Sequence, residues 1–280
     1  MMKILVTGSD GLIGTNILPD LSKQFEIVPA IEEQWDILDR KLGEEIVRAH
    51  QPDVLINLAA ITNVDGCEDA AELAYRVNTE GAGVLADLCK KYNVKLLHFS
   101  TDYVFDGTSR RPHTEEDTPN PLSVYGRSKL LGEKKVLENH PSSLIVRTEW
   151  IYGRGGENFI TRVTKIAREK GKVEVVDDQT GSPTFAQDLV EPVRALITQN
   201  KSGIYHVTNG GACTWFQFTK EIFSILHLDV PCLPVSSTRI QRKAKRPAYS
   251  VLDCSKLKRE TGLSLRSWQE ALRQYLAEPS

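Results

Sequence analysis

Tyr125 and Lys129 stand four residues apart in the run Tyr125-Gly126-Arg127-Ser128-Lys129, a spacing that puts a phenol and an ammonium on one helical face. A phenol with its ordinary pKa of about 10 is a poor acid at neutral pH, and a neighbouring cation lowers it. Taken alone, the pair is what any solvated helix face shows by chance. Two further stretches change that reading. Ser100-Thr101-Asp102 closes an apolar run, so its hydroxyls fall at the carboxyl end of a strand, where open α/β sheets bind ligands. Pro119-Asn120-Pro121 marks a loop that delivers Tyr125 to the same edge. A hydroxyl, a phenol and an ammonium over a nicotinamide make a site for ketone reduction or alcohol oxidation.

A place for such a cofactor is written at the start of the chain. The segment Thr7-Gly8-Ser9-Asp10-Gly11-Leu12-Ile13-Gly14 follows a strand-like run and opens a helical one. Gly8 makes the tight turn, Gly11 lets the backbone approach a diphosphate, and Gly14 permits close packing of helix on sheet. Amides at the helix start then bind the diphosphate. The spacing GxxGxxG resembles that of the extended short-chain dehydrogenase/reductases. Glu32 and Glu33 lie near the position from which an acid holds the adenosine ribose,. No arginine occurs between Gly14 and Asp39, a slight lean toward NADH over NADPH.

These residues need a scaffold, and the rest of the chain supplies one. Apolar runs at 3–7, 25–29, 54–59, 96–100 and 144–147 are continuous, as parallel strands covered on both faces require,. Helical patterns fill 12–25, 40–50, 70–92 and 125–139; Leu42, Ile46 and Val47, for example, share one face,. The expected fold is α/β: a Rossmann-type doubly wound parallel sheet with a smaller C-terminal substrate-binding lobe. After about Gly153 prolines break the rhythm, with helical stretches at 158–170, 185–199 and 215–227 and a basic loop over 235–247. The division expected is residues 1–152 as the nucleotide-binding domain carrying the catalytic residues. Residues 153–280 are mainly the substrate lobe, packed on the first part and partly interleaved with it.

Composition removes other classes. With 35 basic against 37 acidic side chains the net charge is −2, so no bulk positive field draws nucleic acid. The longest apolar run, 54–61, spans roughly eight residues and is too short for a membrane span,. Five cysteines without paired spacing point away from a disulfide framework and a zinc site, toward a reduced cytoplasm,. The N-terminus, without the layout of a signal peptide, agrees.

Larger blocks carry a more specific resemblance. STDYVFDG (100–107), YGRSKLLGE (125–133), RTEWIYG (147–153), DQTGSPT (178–184), AAITNVDGCE (59–68), TWFQF (214–218) and KRPAYSVLD (245–253) together are similar to the dTDP-4-dehydrorhamnose reductase family, in order and over nearly the whole chain. The resemblance implies reduction, by NADPH or NADH, of the 4-keto group of dTDP-4-dehydro-6-deoxy-L-mannose to dTDP-L-rhamnose. It makes Tyr125 the proton donor, Lys129 its tuner and a ribose ligand, and Thr101 the group that polarises the keto oxygen. It lines the cofactor with Asp10, Leu12 and Ile13 of the glycine turn, Asp36 and Ile37 after the second strand, and Ala59, Ala60 and Thr62 after the third. Thr101, Asp102 and Trp150 match positions that contact the nucleotide sugar. Some family members carry, two residues after the third glycine, a glutamate that helps bind magnesium at a dimer interface. Asn16 stands there, and an amide is a poor magnesium ligand, so no metal is expected and the chain is a monomer or homodimer.

Simpler readings compete at several of these residues. Trp150 lies just past a strand end, which favours a sugar-stacking face over core. Trp215, in a stripe with Phe216 and Phe218, reads as core packing, and His98, in a buried-type strand, as a satisfied core residue,. Arg246, in the cluster Arg242-Lys243-Ala244-Lys245-Arg246, fits a solvated surface and a diphosphate contact equally. Beside the reductase, another nucleotide-sugar enzyme of the same class, such as a 4-epimerase, and a non-catalytic cofactor-binding regulatory subunit remain open.

Overall fold

The computed structural model describes residues 1–277, so the last three residues of the expected second lobe lie outside it. Six strands, β1 (Lys3–Thr7), β2 (Glu26–Ala30), β3 (Val54–Asn57), β4 (Lys95–Thr101), β5 (Leu144–Thr148) and β6 (Gly203–His206), form one sheet in the order β2-β1-β3-β4-β5-β6. Every pairing in it is parallel. Alternate side chains of each strand go to opposite faces. Ile4, Val6, Ile56 and Phe99 pack beneath α1 (Leu12–Leu21). Leu5, Leu55, Leu96 and Ile145 pack beneath α2 (Arg40–His50) and α3 (Ala82–Tyr92). The apolar runs are continuous because both faces are covered. The fold is the doubly wound α/β architecture expected.

Strand order reverses at β1, which pairs with β2 on one side and β3 on the other. The crevice at the carboxyl ends of β1 and β3 is the switch point where such sheets take ligands. Gly8 and Ala59 line it.

Two features depart from the pattern of the sequence. The stretch read as one helix over 70–92 is broken into Ala71–Tyr75, a π-helical turn Arg76–Gly81, and α3. Asn78 of that turn is buried and bonds the Ile61 backbone through both ends of its amide, with its nitrogen also reaching Ser128 Oγ at 3.0 Å. Thr79 Oγ1 donates to the Ser128 carbonyl at 2.8 Å. The irregular turn thus grips α4 (Val124–Asn139) beside Lys129. Second, β6 lies beyond residue 153 yet completes the main sheet by pairing with β5. The remainder of the C-terminal part has its own core, in which Tyr152, Phe185, Phe218 and Trp268 meet α5 (Phe159–Lys170). Between α5 and β6 lies α6 (Val190–Thr198), packed on the main sheet; beyond β6 comes α7 (Trp215–Ile225).

Candidate active site

β1 stops at Thr7, and Gly8 takes a φ of +62°, a conformation that glycine adopts without strain,. A Cβ at Gly8 would stand 2.7 Å from the Ala59 nitrogen, so the turn lies against the end of β3. A Cβ at Gly14 would stand 2.2 Å from the Ser9 carbonyl oxygen. Gly14 is therefore required by the turn's own backbone, rather than by packing of helix on sheet. α1 starts at Leu12 with no side chain capping it, which leaves its first amides for an acidic ligand. Asp10, Gly11, Asp36, Ile37, Ala59 and Ala60 line one continuous groove with Glu32 and Glu33. The groove runs on, past Leu12, Ile13 and Thr62, to Thr101, Asp102, Tyr125 and Trp150.

α4 begins at Val124 because the Ser123 side chain accepts from the Gly126 amide, a standard N-cap. Tyr125 then lines the groove, and Lys129 follows one turn further along the helix, buried. Burial, with the neighbouring Asp102 charge, pushes the phenol above its ordinary 10, and the nearby Thr101 side chain opposes that rise. Lys129 is not among the largest influences on the phenol, and its ammonium is engaged with the Phe99 carbonyl. Lys129 is 4% exposed, and its Nζ donates to the Phe99 carbonyl at 2.6 Å. Burial pushes its pKa down to about 8, with the Glu133 charge one turn on pulling it back up.

Nζ also lies 3.5 Å from His98 Nε2, and the surrounding bonds settle that ring's tautomer. Asn57 Oδ1 accepts from Thr7 Oγ1 at 2.8 Å and from the Ala59 amide at 3.1 Å. Its Nδ2 must then donate to His98 Nδ1, 2.9 Å away. The ring proton belongs on Nε2, facing the lysine. Burial, then the Lys129 charge, hold His98 well below its ordinary pKa of 6.5, so it is neutral. His98 is a core residue, as read: its Nδ1 accepts from Asn57 of β3, while its Nε2–H and the ammonium it faces are both donors and form no bond.

Thr101 Oγ1 donates to Asp102 Oδ1 at 2.9 Å and accepts from the Tyr103 amide at 3.2 Å. Asp102 and Glu149, each 2% exposed, both border the groove. Burial raises the Asp102 carboxyl to about 7, with the nearby Ser250 and Thr101 hydroxyls pulling it back down. Burial, followed by the Asp102 charge, raises Glu149 well above the carboxylate range. Ser100 Oγ, Asp102 Oδ2 and Thr148 Oγ1, at the ends of β4 and β5, are buried without a protein hydrogen-bond partner. Buried polar atoms of that kind call for a ligand or water.

Trp150 is half-buried on this groove in the left-handed region, φ +48°, and its ring lies flat on Trp215. Trp215 is the first residue of α7; it packs, partly buried, against the core that holds Phe218, as read, and also borders the groove. Phe218, one turn on, is fully core. Arg246 makes a two-pronged pair with Asp65, at 3.1 and 2.8 Å, which holds that carboxyl down at about 2. The basic loop is thereby tied to the segment after β3, and Arg246 borders a second hollow with Arg242, Gln179 and Leu122. The sequence reading missed Glu149 as a groove residue, and missed that Trp215 borders the groove as well as the core.

A parallel switch-point sheet, a glycine turn with free helix amides, and a Thr–Tyr–Lys constellation together define a nucleotide-binding oxidoreductase of the short-chain dehydrogenase/reductase type. Residues 2–280 match the family model of the RmlD substrate binding domain, and the chain belongs to that family. It is 39% identical over 281 residues to the spore coat polysaccharide biosynthesis protein SpsK of Bacillus subtilis, covering 100% of this chain and 99% of that one. It is 40% identical to the dTDP-4-dehydrorhamnose reductase of Streptomyces griseus, covering 96% and 91%. The solved dTDP-4-dehydrorhamnose reductase of Bacillus anthracis, in complex with NADP, superposes with a TM-score of 0.97 at 36% identity over 100% of both chains.

Proposed function

We propose that the protein reduces the 4-keto group of a dTDP-linked 4-keto-6-deoxy sugar, dTDP-4-dehydro-6-deoxy-L-mannose, to dTDP-L-rhamnose with NADPH or NADH. The observation that supports this is that Thr101 and Tyr125 line one end of a groove whose other end is the uncapped start of α1, with Lys129 one turn along the same helix as Tyr125. The likeness to reductases of that name over the full chain supports it.

The residues present fit a dinucleotide. Gly8, Gly11 and the α1 amides would receive the diphosphate, with Asp10, Leu12, Ile13 and Gly14 shaping the turn. Asp36 and Ile37 would flank the adenosine, while Ala59, Ala60 and Thr62 would line the path to the nicotinamide. When bound, the reduced nicotinamide supplies a hydride to the carbonyl carbon. Tyr125 donates its phenolic proton to the oxygen that becomes the hydroxyl, and Thr101 polarises that oxygen through its hydroxyl. Lys129 turns from Phe99 to the ribose and steadies the tyrosinate. Asp102 and Trp150 hold the sugar, and Arg246 reaches the substrate diphosphate beside Arg242. Residues 1–152 serve the cofactor and the chemistry, and those from 153 on mainly the substrate. The enzyme works in the cytoplasm as a monomer or homodimer. No helix among the described residues is long and apolar enough to cross a membrane.

The test is to mix the protein with dTDP-4-keto-6-deoxyglucose, a 3,5-epimerase and NADPH or NADH, following cofactor absorbance and identifying the product. Oxidation of the cofactor with formation of dTDP-rhamnose is expected. A protein that instead carries tightly held NAD and interconverts 4-epimers without consuming added cofactor would overturn the reading.

A further inference from the structure

Lys129 rests in a place that does not satisfy it. The side chain is 4% exposed, and an ammonium has three protons to donate. Among the described residues it finds one acceptor, the Phe99 carbonyl at 2.6 Å. Glu133, one turn on, is engaged through both carboxylate oxygens with the Arg147 guanidinium, at 2.9 and 2.6 Å. His98 Nε2 stands 3.5 Å from Nζ and carries a proton of its own, so two donors face each other.

That proton is placed by β3. Thr7 Oγ1 and the Ala59 amide both donate to Asn57 Oδ1, at 2.8 and 3.1 Å, which leaves the Asn57 nitrogen to face His98 Nδ1 at 2.9 Å. An amide nitrogen only donates, so Nδ1 must accept. His98 is 1% exposed and Asn57 2%, and neither group turns over without leaving buried polar atoms unpaired. With the proton on Nδ1 instead, the ring would present a lone pair to the ammonium and give it a second acceptor. Asn57 forbids that arrangement. The contact is unfavourable from both sides: burial and the Lys129 charge keep the ring neutral, and burial lowers the proton affinity of the lysine.

We propose that His98 is a positioning residue for Lys129: by turning an N–H on the ammonium in its resting place, it keeps that place shallow and leaves the lysine free to move to the cofactor. This rests on the reading of Lys129 as a cofactor ligand. His98 does not line the groove, so it acts through the lysine. At rest the ammonium has one hydrogen bond to protein against one repulsive contact, and the bond to Phe99 is all that it gives up on leaving. A lone pair at Nε2 would add a second bond to a charged group, which must then be broken for each cofactor bound.

Asn57→Asp in the full-length protein tests this. Its carboxylate still accepts from Thr7 and Ala59 but cannot donate to Nδ1, so the ring proton moves to Nδ1 and Nε2 turns a lone pair on Lys129. NADPH affinity, read by fluorescence titration, should fall about tenfold or more, the worth of one hydrogen bond to a charged group. His98→Phe removes the repulsive contact without supplying an acceptor, and its affinity should fall between that of the wild type and that of Asn57→Asp. The double variant should bind NADPH as His98→Phe does, because without the imidazole there is no tautomer to switch. An Asn57→Asp affinity equal to that of the wild type, or an equal loss from Asn57→Asp in the His98→Phe background, would overturn the proposal. Nitrogen-15 NMR of the cofactor-free wild type needs no variant to fold. The His98 ring should be neutral with its proton on Nε2 at pH 7, and a proton on Nδ1 would overturn the proposal as well. Lys129→Met separates the inference from the reading beneath it. If that variant binds NADPH as tightly as the wild type, the lysine has no cofactor role and both fall. If it binds weakly while Asn57→Asp matches the wild type, the role of His98 alone is refuted.

Discussion

The indole of Trp150 lies on that of Trp215 with 3.5 Å between ring centroids and 4° between planes. The two rings come from different parts of the chain, one just past β5 and one at the head of α7. Phe159 closes on Trp215 from the other side, 4.4 Å between centroids. Gly181 makes room for the stack, since a Cβ there would stand 2.5 Å from the Trp150 ring. The stack thus forms a flat apolar wall on the groove that holds Thr101 and Tyr125.

A deoxyhexose offers such a wall a methyl group and ring hydrogens. Trp150→Ala and Trp215→Ala should each lower kcat/KM by about 5- to 150-fold, the worth of roughly 1–3 kcal/mol of substrate contact. NADPH affinity should stay near wild type in both. A purely structural role would instead cost about 3–5 kcal/mol of stability and leave kcat/KM per folded molecule unchanged. Melting temperature, NADPH titration and steady-state kinetics on the two variants separate the cases.

Tyr125→Phe should reduce turnover by about two to four orders of magnitude, the usual contribution of a general acid, without weakening NADPH binding, because the ring is kept. Lys129→Met should lose both. The lysine is buried against the Phe99 carbonyl, and it must leave that bond to reach a ribose. If Lys129→Met binds NADPH as tightly as wild type, the ribose half of its role is wrong. Stopped-flow single turnovers with each variant measure the chemical step directly.

What the sequence made legible follows from burial. β1, β3, β4 and β5 are covered on both faces, so their apolar runs stand out, and glycines tied to a backbone approach, as at Gly8, announce the turn. β6 is a four-residue edge strand, Gly203–His206, with a polar histidine at its end, too short and too mixed to show a period. The π-turn at Arg76–Gly81 exists because Asn78 bonds Ile61 and Ser128, contacts set by tertiary structure alone. Trp215 belongs to a helical stripe whose later members are core, and only its place at the first position of α7 turns it toward the groove. Glu149 was hidden for another reason: nothing local distinguishes a buried glutamate from a solvated one. Only Asp102, brought beside it by the Thr101–Thr148 register of β4 and β5, does so.

The Asp102–Glu149 pair also makes stability depend on pH, with a definite sign. Asp102 moves from its usual 3.8 to about 7 in the folded protein, and Glu149 moves in the same direction. Between those values the native state holds a proton that the unfolded chain has released. Stability is then full below about pH 4 and is lost as pH rises toward 7 and beyond. Asp65 and Asp117, held at about 2 by Arg246 and Arg111, act with the opposite sign but below that window. The buried His98, His113, His140 and His206, held below 6.5 by burial, contribute with the opposite sign below about pH 6.5,, so the contribution of the pair is read as a difference: from pH 5 to pH 8 the melting temperature of the wild type should fall relative to that of Glu149→Gln. Parallel slopes for the two proteins would mean that the pair is not protonated in the native state.

The final prediction concerns Asn16, where some relatives were expected to carry a metal-binding glutamate. Its Nδ2 donates to the Leu12 carbonyl at 2.6 Å and the Arg154 carbonyl at 2.8 Å, and its Oδ1 accepts from the Arg154 amide at 2.9 Å. The side chain is therefore a clamp between α1 and the loop after β5, with its amide facing two carbonyls and one N–H. A carboxylate at this position would still accept from Arg154 but would set its second oxygen against those carbonyls. Asn16→Asp should accordingly lose about 1–3 kcal/mol of stability, the cost of unpaired buried acceptors, and should loosen the loop that leads into α5. No cluster of three or more metal-ligating side chains occurs among the described residues. EDTA should leave turnover and the sedimentation profile of the wild-type protein unchanged, and added magnesium should not raise the melting temperature. A magnesium-dependent gain in activity or a shift in sedimentation would show that carboxylates from elsewhere, or from a second copy of the chain, assemble a metal site that Asn16 does not supply.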